Sequence, residues 1–394
     1  MASSSSEHVG KFTQGSTMRH VVTMTATGSV GLIAVFVVDV LNLFYISLLG
    51  QQELAAAVGC VSALLFFHTS IAIGLSIGAT ALTSRALGRK DLAQARQLAG
   101  TSLIFIGGVS LGLVLLSYPL LEILLEMLGA RGETLRLALR FCRLVLPSVP
   151  MLALGMCLGA LLRSVGDGKR AMYVTLGAAI ATAILDPLFI FVFKLGLDGA
   201  ALANVCARLV LIGVGFHSLL KIHRLYATPS RAVFLQGLQP FLAIGIPAIL
   251  TQVATPVGNA IVTRAIAHYG DHAVAGWAVV ARLIPLAFAG LFALSGAIGP
   301  ILGQNLGAKK YDRLRSTMRD SLLVTLIYVM AIWLLLALTR HQIADLFGAQ
   351  DAGREVIEFF CLFVAASLLP MRRLIILAIR CIPPCLIGAA LPWA

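Results

Sequence analysis

VVTMTATGSVGLIAVFVVDVLNLFYISLL (residues 21–49) is long enough to cross a bilayer and carries one charged side chain, Asp39. About 20 apolar residues span a hydrocarbon core. A carboxylate near the middle of such a span costs about 3 kcal/mol on insertion scales, so it faces a bundle interior or a wet cavity and is a functional candidate by default. The plainer alternative is a structural acid, neutralised by a cation or bonded to a neighbouring helix.

Outward from this stretch, apolar runs recur at 54–84, 98–120, 135–161, 172–194, 199–220, 238–267, 273–303, 320–338 and 356–370, with an irregular run at 374–394. The chain is 59% hydrophobic and 12% charged, half the charged share of an ordinary soluble domain. The runs lack the short polar/apolar alternation of barrel strands. The expected fold class is therefore an all-α polytopic membrane protein. The formal net charge of +13 sits in clusters between runs: Arg85, Arg89, Lys90 and Arg96 after the second, Arg163, Lys169 and Arg170 after the fourth, Lys221, Arg224 and Arg231 after the sixth, and Lys309, Lys310, Arg313, Arg315 and Arg319 after the eighth. Basic residues in alternate connectors follow the positive-inside rule and place the amino terminus in the cytoplasm. This is a topology signal and not a nucleic-acid footprint. The opening residues 1–17 form a polar cytoplasmic tail without the order of a signal peptide. Seven cysteines are scattered singly, without zinc-site spacing.

ALTSRALGRKDLAQAR (81–96) resembles PILGQNLGAKKYDRLR (300–315). At the same offset of 219, Leu87-Gly88 falls on Leu306-Gly307, Gly129-Ala130 on Gly348-Ala349, Phe141-Cys142 on Phe360-Cys361 and Ser76 on Ser295. Internal repeats are a building rule of transporters, with the ligand path between the halves. The expected organisation is two pseudo-symmetric bundles: a six-helix lobe at 18–222, a cytoplasmic linker at 223–236, and an incomplete lobe at 237–394 of about four helices plus an irregular tail. The offset leaves no counterpart for 176–235, and Pro383-Pro384 interrupts the last run. The expectation is a chain ended early, after a reading-frame change near Leu369.

Two acids lie at membrane depth, Asp39 and Asp186, the second followed by Pro187. Proline removes a backbone donor and bends a helix, freeing carbonyls that can bind a cation or a proton donor. Asp39 falls on Gly258 at the repeat offset, so the acid pair belongs to one lobe. Thr182 lies one turn before Asp186 on the same face; bonding to its own backbone is the plainer reading. Arg208 and Arg282 also lie in apolar runs, where pairing with an acid or snorkelling to an interface is expected. There is no HExxH, Gly-x-Ser-x-Gly or phosphate-loop spacing, so neither an enzyme nor ATP use is indicated.

VVDVLNLFYISLLGQQELAAAVG (37–59), GATALTSRALGRKDLAQA (78–95), LRSVGDGKR (162–170), LDPLFIFVFKLGLDGAALA (185–203) and GAIGPILGQNLGAKKYDR (296–313) resemble the multidrug and toxic compound extrusion (MATE) family, over about residues 20–370. The resemblance implies a V-shaped pair of six-helix bundles that exports small organic, mostly cationic, compounds by antiport against H⁺ or Na⁺. It implies a multi-pass monomer in a bacterial inner membrane, with no cofactor beyond the coupling ion and no nucleic-acid partner. Carried over residue by residue, Asp39 and Asp186 match the family's acids of the first and fifth helices and are the candidate H⁺ or Na⁺ site. Thr182 and Asn204 complete the candidate coupling set, with the two residue types exchanged relative to the family pattern. The stretch 244–261 carries none of the acids that some members have in the seventh helix. A lipid-linked saccharide flippase on a related scaffold and a non-functional truncated transporter are the alternatives.

Overall fold

The computed structural model describes residues 10–47, 52–269, 271–346 and 351–364. The first nine residues, Gly348-Ala349 and everything from 365 on, including Leu369, Pro383-Pro384 and the run 374–394, lie outside the described residues. Every described element is helical: α1 (Thr17–Ser47), α2 (Gln52–Gly88), α3 (Leu92–Ser117), α4 (Leu121–Met127), α5 (Gly132–Val145), α6 (Val149–Val165), α7 (Gly168–Pro187), α8 (Gly196–Phe216), α9 (Arg231–Ile266), α10 (Asp271–Ala287), α11 (Ala289–Gly307), α12 (Tyr311–Leu346) and α13 (Asp351–Phe359). Among these, eight segments are long and apolar enough to cross a membrane, the pair α5–α6 counting as one. Large apolar side chains such as Val30, Val40, Leu115, Ile184 and Leu338 stand exposed along them. A water-soluble monomer rarely leaves so much apolar surface bare. In a bilayer the same surface meets lipid.

Two apolar runs that read as continuous are broken. Residues 273–303 form α10 and α11, bent by 44°. Tyr328 of α12 enters the break: its hydroxyl donates to the Ala287 carbonyl at 2.8 Å and accepts from the Gly290 amide at 3.2 Å. A side chain inserted into the backbone ladder is a recognised cause of a kink. The ring fits because position 290 is glycine; a Cβ there would lie 2.5 Å from it. The second break separates α5 from α6 at the 3₁₀ turn Leu146–Ser148, where Pro147 and Pro150 withhold donors. Arg208 of α8 reaches in, donating to the Val145 carbonyl at 3.0 Å and to Ser148 Oγ at 2.6 Å. Arg208 is buried. It therefore neither snorkels nor pairs with an acid, as its sequence context suggested; helix-break oxygens satisfy it. Arg282 is exposed on α10.

The two connectors matched by the repeat have the same backbone geometry. The Lys90 amide bonds to the Leu87 carbonyl and that of Asp91 to Ala86; the amides of Lys309 and Lys310 bond to Leu306 and Asn305. Lys90 (φ 62°) and Lys309 (φ 57°) both take the left-handed conformation. Phe141-Cys142 and Phe360-Cys361 are all buried. These connectors meet. A Cβ on Gly88 would lie 2.0 Å from the Gln304 carbonyl oxygen, and one on Gly307 would lie 2.1 Å from that of Arg85, the same contact shifted by the repeat offset. Higher along the seam, Gly78 packs on Phe241 and Gly74 on Ile249 of α9. α1 touches α11 at Gly28 and Ala293. Farther along α9, nothing among the described residues lies within 4 Å of a Cβ on Gly258, Val257 and Ile261 are exposed, and the helix next meets α10, where Trp277 Nε1 donates to Thr263 Oγ1 at 3.1 Å. The two halves are thus joined on the face carrying the basic connectors.

Candidate functional site

α1 and α7 carry the two acids and pack closely. A Cβ on Gly31 would come within 2.3 Å of Thr175 Oγ1, so only glycine lets the helices approach so far. Asp39 lies two turns beyond Gly31. Its side chain is exposed, on the helix whose Asn42, one turn further on, meets Asp186. Asp186 is the last residue but one of α7, which ends at Pro187 and runs into a π-helical turn at Leu188–Val192. Its side chain is fully buried. Oδ2 accepts a hydrogen bond from Asn42 Nδ2 at 2.7 Å, while Oδ1 is buried with no partner among the described residues. Among the described residues neither acid is paired with an arginine or lysine.

That combination is chemically specific. A fully buried carboxylate with one oxygen bare is costly unless a proton or a cation takes the bare position. Asp39 and Asp186 are the groups that could hold Na⁺ here, with the Asn42 amide beside them.

The structure does not bring Thr182 and Asn204 onto the acids. Thr182 Oγ1 donates to its own helix at the Ala178 carbonyl, 3.0 Å, and Asn204 Nδ2 to that of Ala200, 3.2 Å. Both are half-buried. The partner that Asp186 does have, Asn42, lies three residues after Asp39 in the opening stretch. It passed unnoticed because a neutral amide in an apolar run is a weak signal and its acid is 144 residues away.

Two further polar groups lie toward the basic face. Arg163, near the end of α6, is half-buried, and among the described residues its side chain has no hydrogen bond or ion pair. Its Nη1 lies 3.6 Å from a Cβ built on Gly159 of the same helix, and its Nε 3.8 Å from one on Gly296 of α11; nothing else comes within 4 Å of either position. The guanidinium thus lies beside Gly159 and Gly296 on the seam. Asp167, in the α6–α7 connector, caps α7 by accepting from the Arg170 amide at 3.0 Å. It also accepts from the Arg170 guanidinium and from His223 Nε2 at 2.9 Å. Burial alone would raise its pKa, but the hydrogen bonds from His223 and Arg170 outweigh it and hold the carboxyl well below the usual carboxylate range.

The MatE family model matches residues 29–188 and again residues 247–382. The second match runs past Pro370, where the sequence reading ended its resemblance, and across Leu369. The likeness therefore continues into the tail as far as residue 382. The chain is 29% identical over 370 residues to the FAD transporter of Shewanella oneidensis, covering 91% of this chain and 81% of that one. It is 26% identical over 349 residues to the multidrug export protein MepA of Staphylococcus aureus, covering 86% and 76%. A solved mutant of the Vibrio cholerae MATE transporter VcmN superposes with a TM-score of 0.84 at 26% identity, covering 89% of this chain and 80% of that one.

Proposed function

The chain belongs to the MatE family, whose members are multi-pass membrane transporters, and from that premise we propose that it exports small organic molecules by antiport against H⁺ or Na⁺. The observation that carries this reading is the buried Asp186 carboxylate, held by one amide and with one oxygen bare. Protonation or ion binding at the exposed Asp39 and the buried Asp186 removes negative charge at membrane depth. α1 then repacks against its neighbours at Gly28 and Gly31, and the cleft releases its substrate. A ligand biases such an equilibrium only through its different affinity for the two states. In this reading the protein is a monomer of a bacterial inner membrane with its amino terminus in the cytoplasm. Residues 18–222 and 237–394 act as the two moving lobes and 223–236 as their linker. The test is dye efflux from everted vesicles under an imposed pH or sodium gradient. Asp39→Asn and Asp186→Asn should each abolish gradient-driven efflux while leaving the protein in the membrane. Unchanged efflux in either variant removes that acid from the coupling site.

A second reading concerns the cargo. The Arg163 guanidinium, beside Gly159 and Gly296 and with no acid partner among the described residues, favours a substrate bearing a phosphate or carboxylate. A relative described as an FAD transporter supports the same reading. Vesicles offered riboflavin and its 5′-phosphate separate the two. Transport of the phosphate alone, lost in Arg163→Gln, supports the anionic cargo. Transport of a cationic dye that survives Arg163→Gln, with neither flavin carried, supports the cationic one.

A further inference from the structure

The segment ahead of α1 is built into the seam. Gly10 (φ 78°) and Gly15 (φ 70°) take left-handed turns at its two ends, and a 3₁₀ turn spans Lys11–Thr13. Phe12 is 1% exposed and joins Val21 and Met24 of α1 to Leu294, Ala297 and Ile301 of α11. Its ring also lies 3.3 Å from a Cβ built on Gly166, in the α6–α7 connector.

The polar contacts run both ways across the seam. Toward the second half of the chain, the Phe12 amide donates to Gln304 Oε1 at 2.8 Å. Arg313 donates to the carbonyls of Phe12 (2.9 Å), Gln14 (3.1 Å) and Gly15 (2.8 Å). Lys310 Nζ donates to the Thr13 carbonyl at 2.9 Å, and Asn305 Nδ2 to that of Phe12 at 3.2 Å. Toward the first half, Lys11 Nζ donates to the Gly166 carbonyl at 2.9 Å. Gln304 closes the circuit: fully buried, it accepts from Phe12 and donates through Nε2 to the Ser164 carbonyl at 2.7 Å.

A strap that only finished the second bundle would not need Lys11 on Gly166 or Phe12 against that glycine. One that only lengthened α1 would not need Arg313. We infer that residues 10–16 are a latch across the basic face, which must let go of one side whenever the two halves of the transporter part there. The latch weights the protein toward the conformation open on the opposite face. Its strength is the sum of contacts that exist only while Gly88 and Gln304 are together. The inference extends the transport reading, because alternating access needs the seam to open. Its test does not depend on transport.

The measurement is hydrogen–deuterium exchange of the full chain in nanodiscs. Arg313→Gln removes the donor to three strap carbonyls and Lys11→Gln removes the tie to Gly166. Both are expected to raise uptake at least about threefold in 84–90 and 303–309, the two sides of the seam, while 153–162 inside the first bundle stays as protected as in the parent. Phe12→Leu, which keeps an apolar plug, should lie between. Seam uptake equal to the parent's in both polar variants overturns the latch. So does a silent Lys11→Gln beside an active Arg313→Gln, since the strap would then serve the second half alone. A rise in 153–162 equal to that at the seam also overturns it, since the segment would then be a general fold element.

Discussion

Asn42 donates to Asp186 at 2.7 Å across the α1–α7 contact, and it is the one hydrogen bond this buried acid receives among the described residues. Asn42→Ala would leave both carboxylate oxygens bare. Losing a hydrogen bond to a charged group costs about 1.5–3 kcal/mol, so gradient-driven efflux should fall roughly tenfold or more at unchanged protein level. A variant pumping at the parent's rate would take Asn42 out of the site. Charge made Asp39 and Asp186 legible in the sequence: a carboxylate among 20 apolar residues has few explanations. Amides and hydroxyls carry no such mark. Thr182, singled out for its place one turn before Asp186, and Asn204 bond to their own helices, whereas Asn42 is recognised only once α1 lies on α7. Asp167 gives a prediction about acid. Its carboxyl is depressed in the folded protein by His223 and Arg170 against the effect of burial, so its stabilisation is in full force above the unfolded value of about 3.9 and is lost as pH falls through the folded value. Asp167→Asn retains a capping side chain but loses the charge. It should lower stability at pH 7 by about 1–2 kcal/mol, and the gap to the parent should narrow below about pH 4. Thermal midpoints in detergent at both pH values check this; an equal gap at both would mean the charge contributes nothing.

At the scale of the element, α1 has no continuous polar face, and its close approach to α7 depends on Gly31. Gly31→Val would put side-chain atoms into Thr175 and the α7 backbone near Met172. Overpacking of this kind costs about 1–3 kcal/mol, and here it would lever Asp39 and Asn42 off Asp186. Efflux should collapse while Gly108→Val on α3, where nothing lies within 4 Å of the Cβ, leaves it intact. Parallel loss in both, or in neither, would refute the idea that α1 works by close contact. The spans themselves were legible because apolar runs of bilayer length have one common outcome. The breaks were not, and for a physical reason. A run such as 273–303 stays apolar through its kink, because the group that fills the kink is Tyr328, from the next helix. The same holds at Leu146–Ser148, inside the run 135–161, where the group that satisfies the break is Arg208, 60 residues away. An arginine in an apolar run reads as a partner for an acid until the distant carbonyl is seen.

At the scale of the whole molecule, the 219-residue offset read from the sequence returns as a symmetric contact: Gly88 on the Gln304 carbonyl and Gly307 on that of Arg85. The offset was legible because matching connectors keep their glycines. That the two copies pack on each other, and not each in its own bundle, was not, since no residue type marks a seam. The symmetry yields a prediction that separates rigid from local response. Gly88→Ala and Gly307→Ala each push a methyl to about 2 Å from a backbone oxygen, which a helix backbone cannot absorb by a rotamer change. If the halves move as rigid bodies, either methyl alone opens the seam, and the second finds the space already made. The double variant should then cost little more than one single, an interaction energy of roughly 1 kcal/mol or more in a thermal-stability cycle. Spin-label distances between the ends of α2 and α11 should lengthen equally in all three. Were each clash relieved by local bending instead, the two costs would add and the distances would not change. The halves would then not be rigid on the scale of this contact, and a pump built from two rocking bundles would need a different hinge.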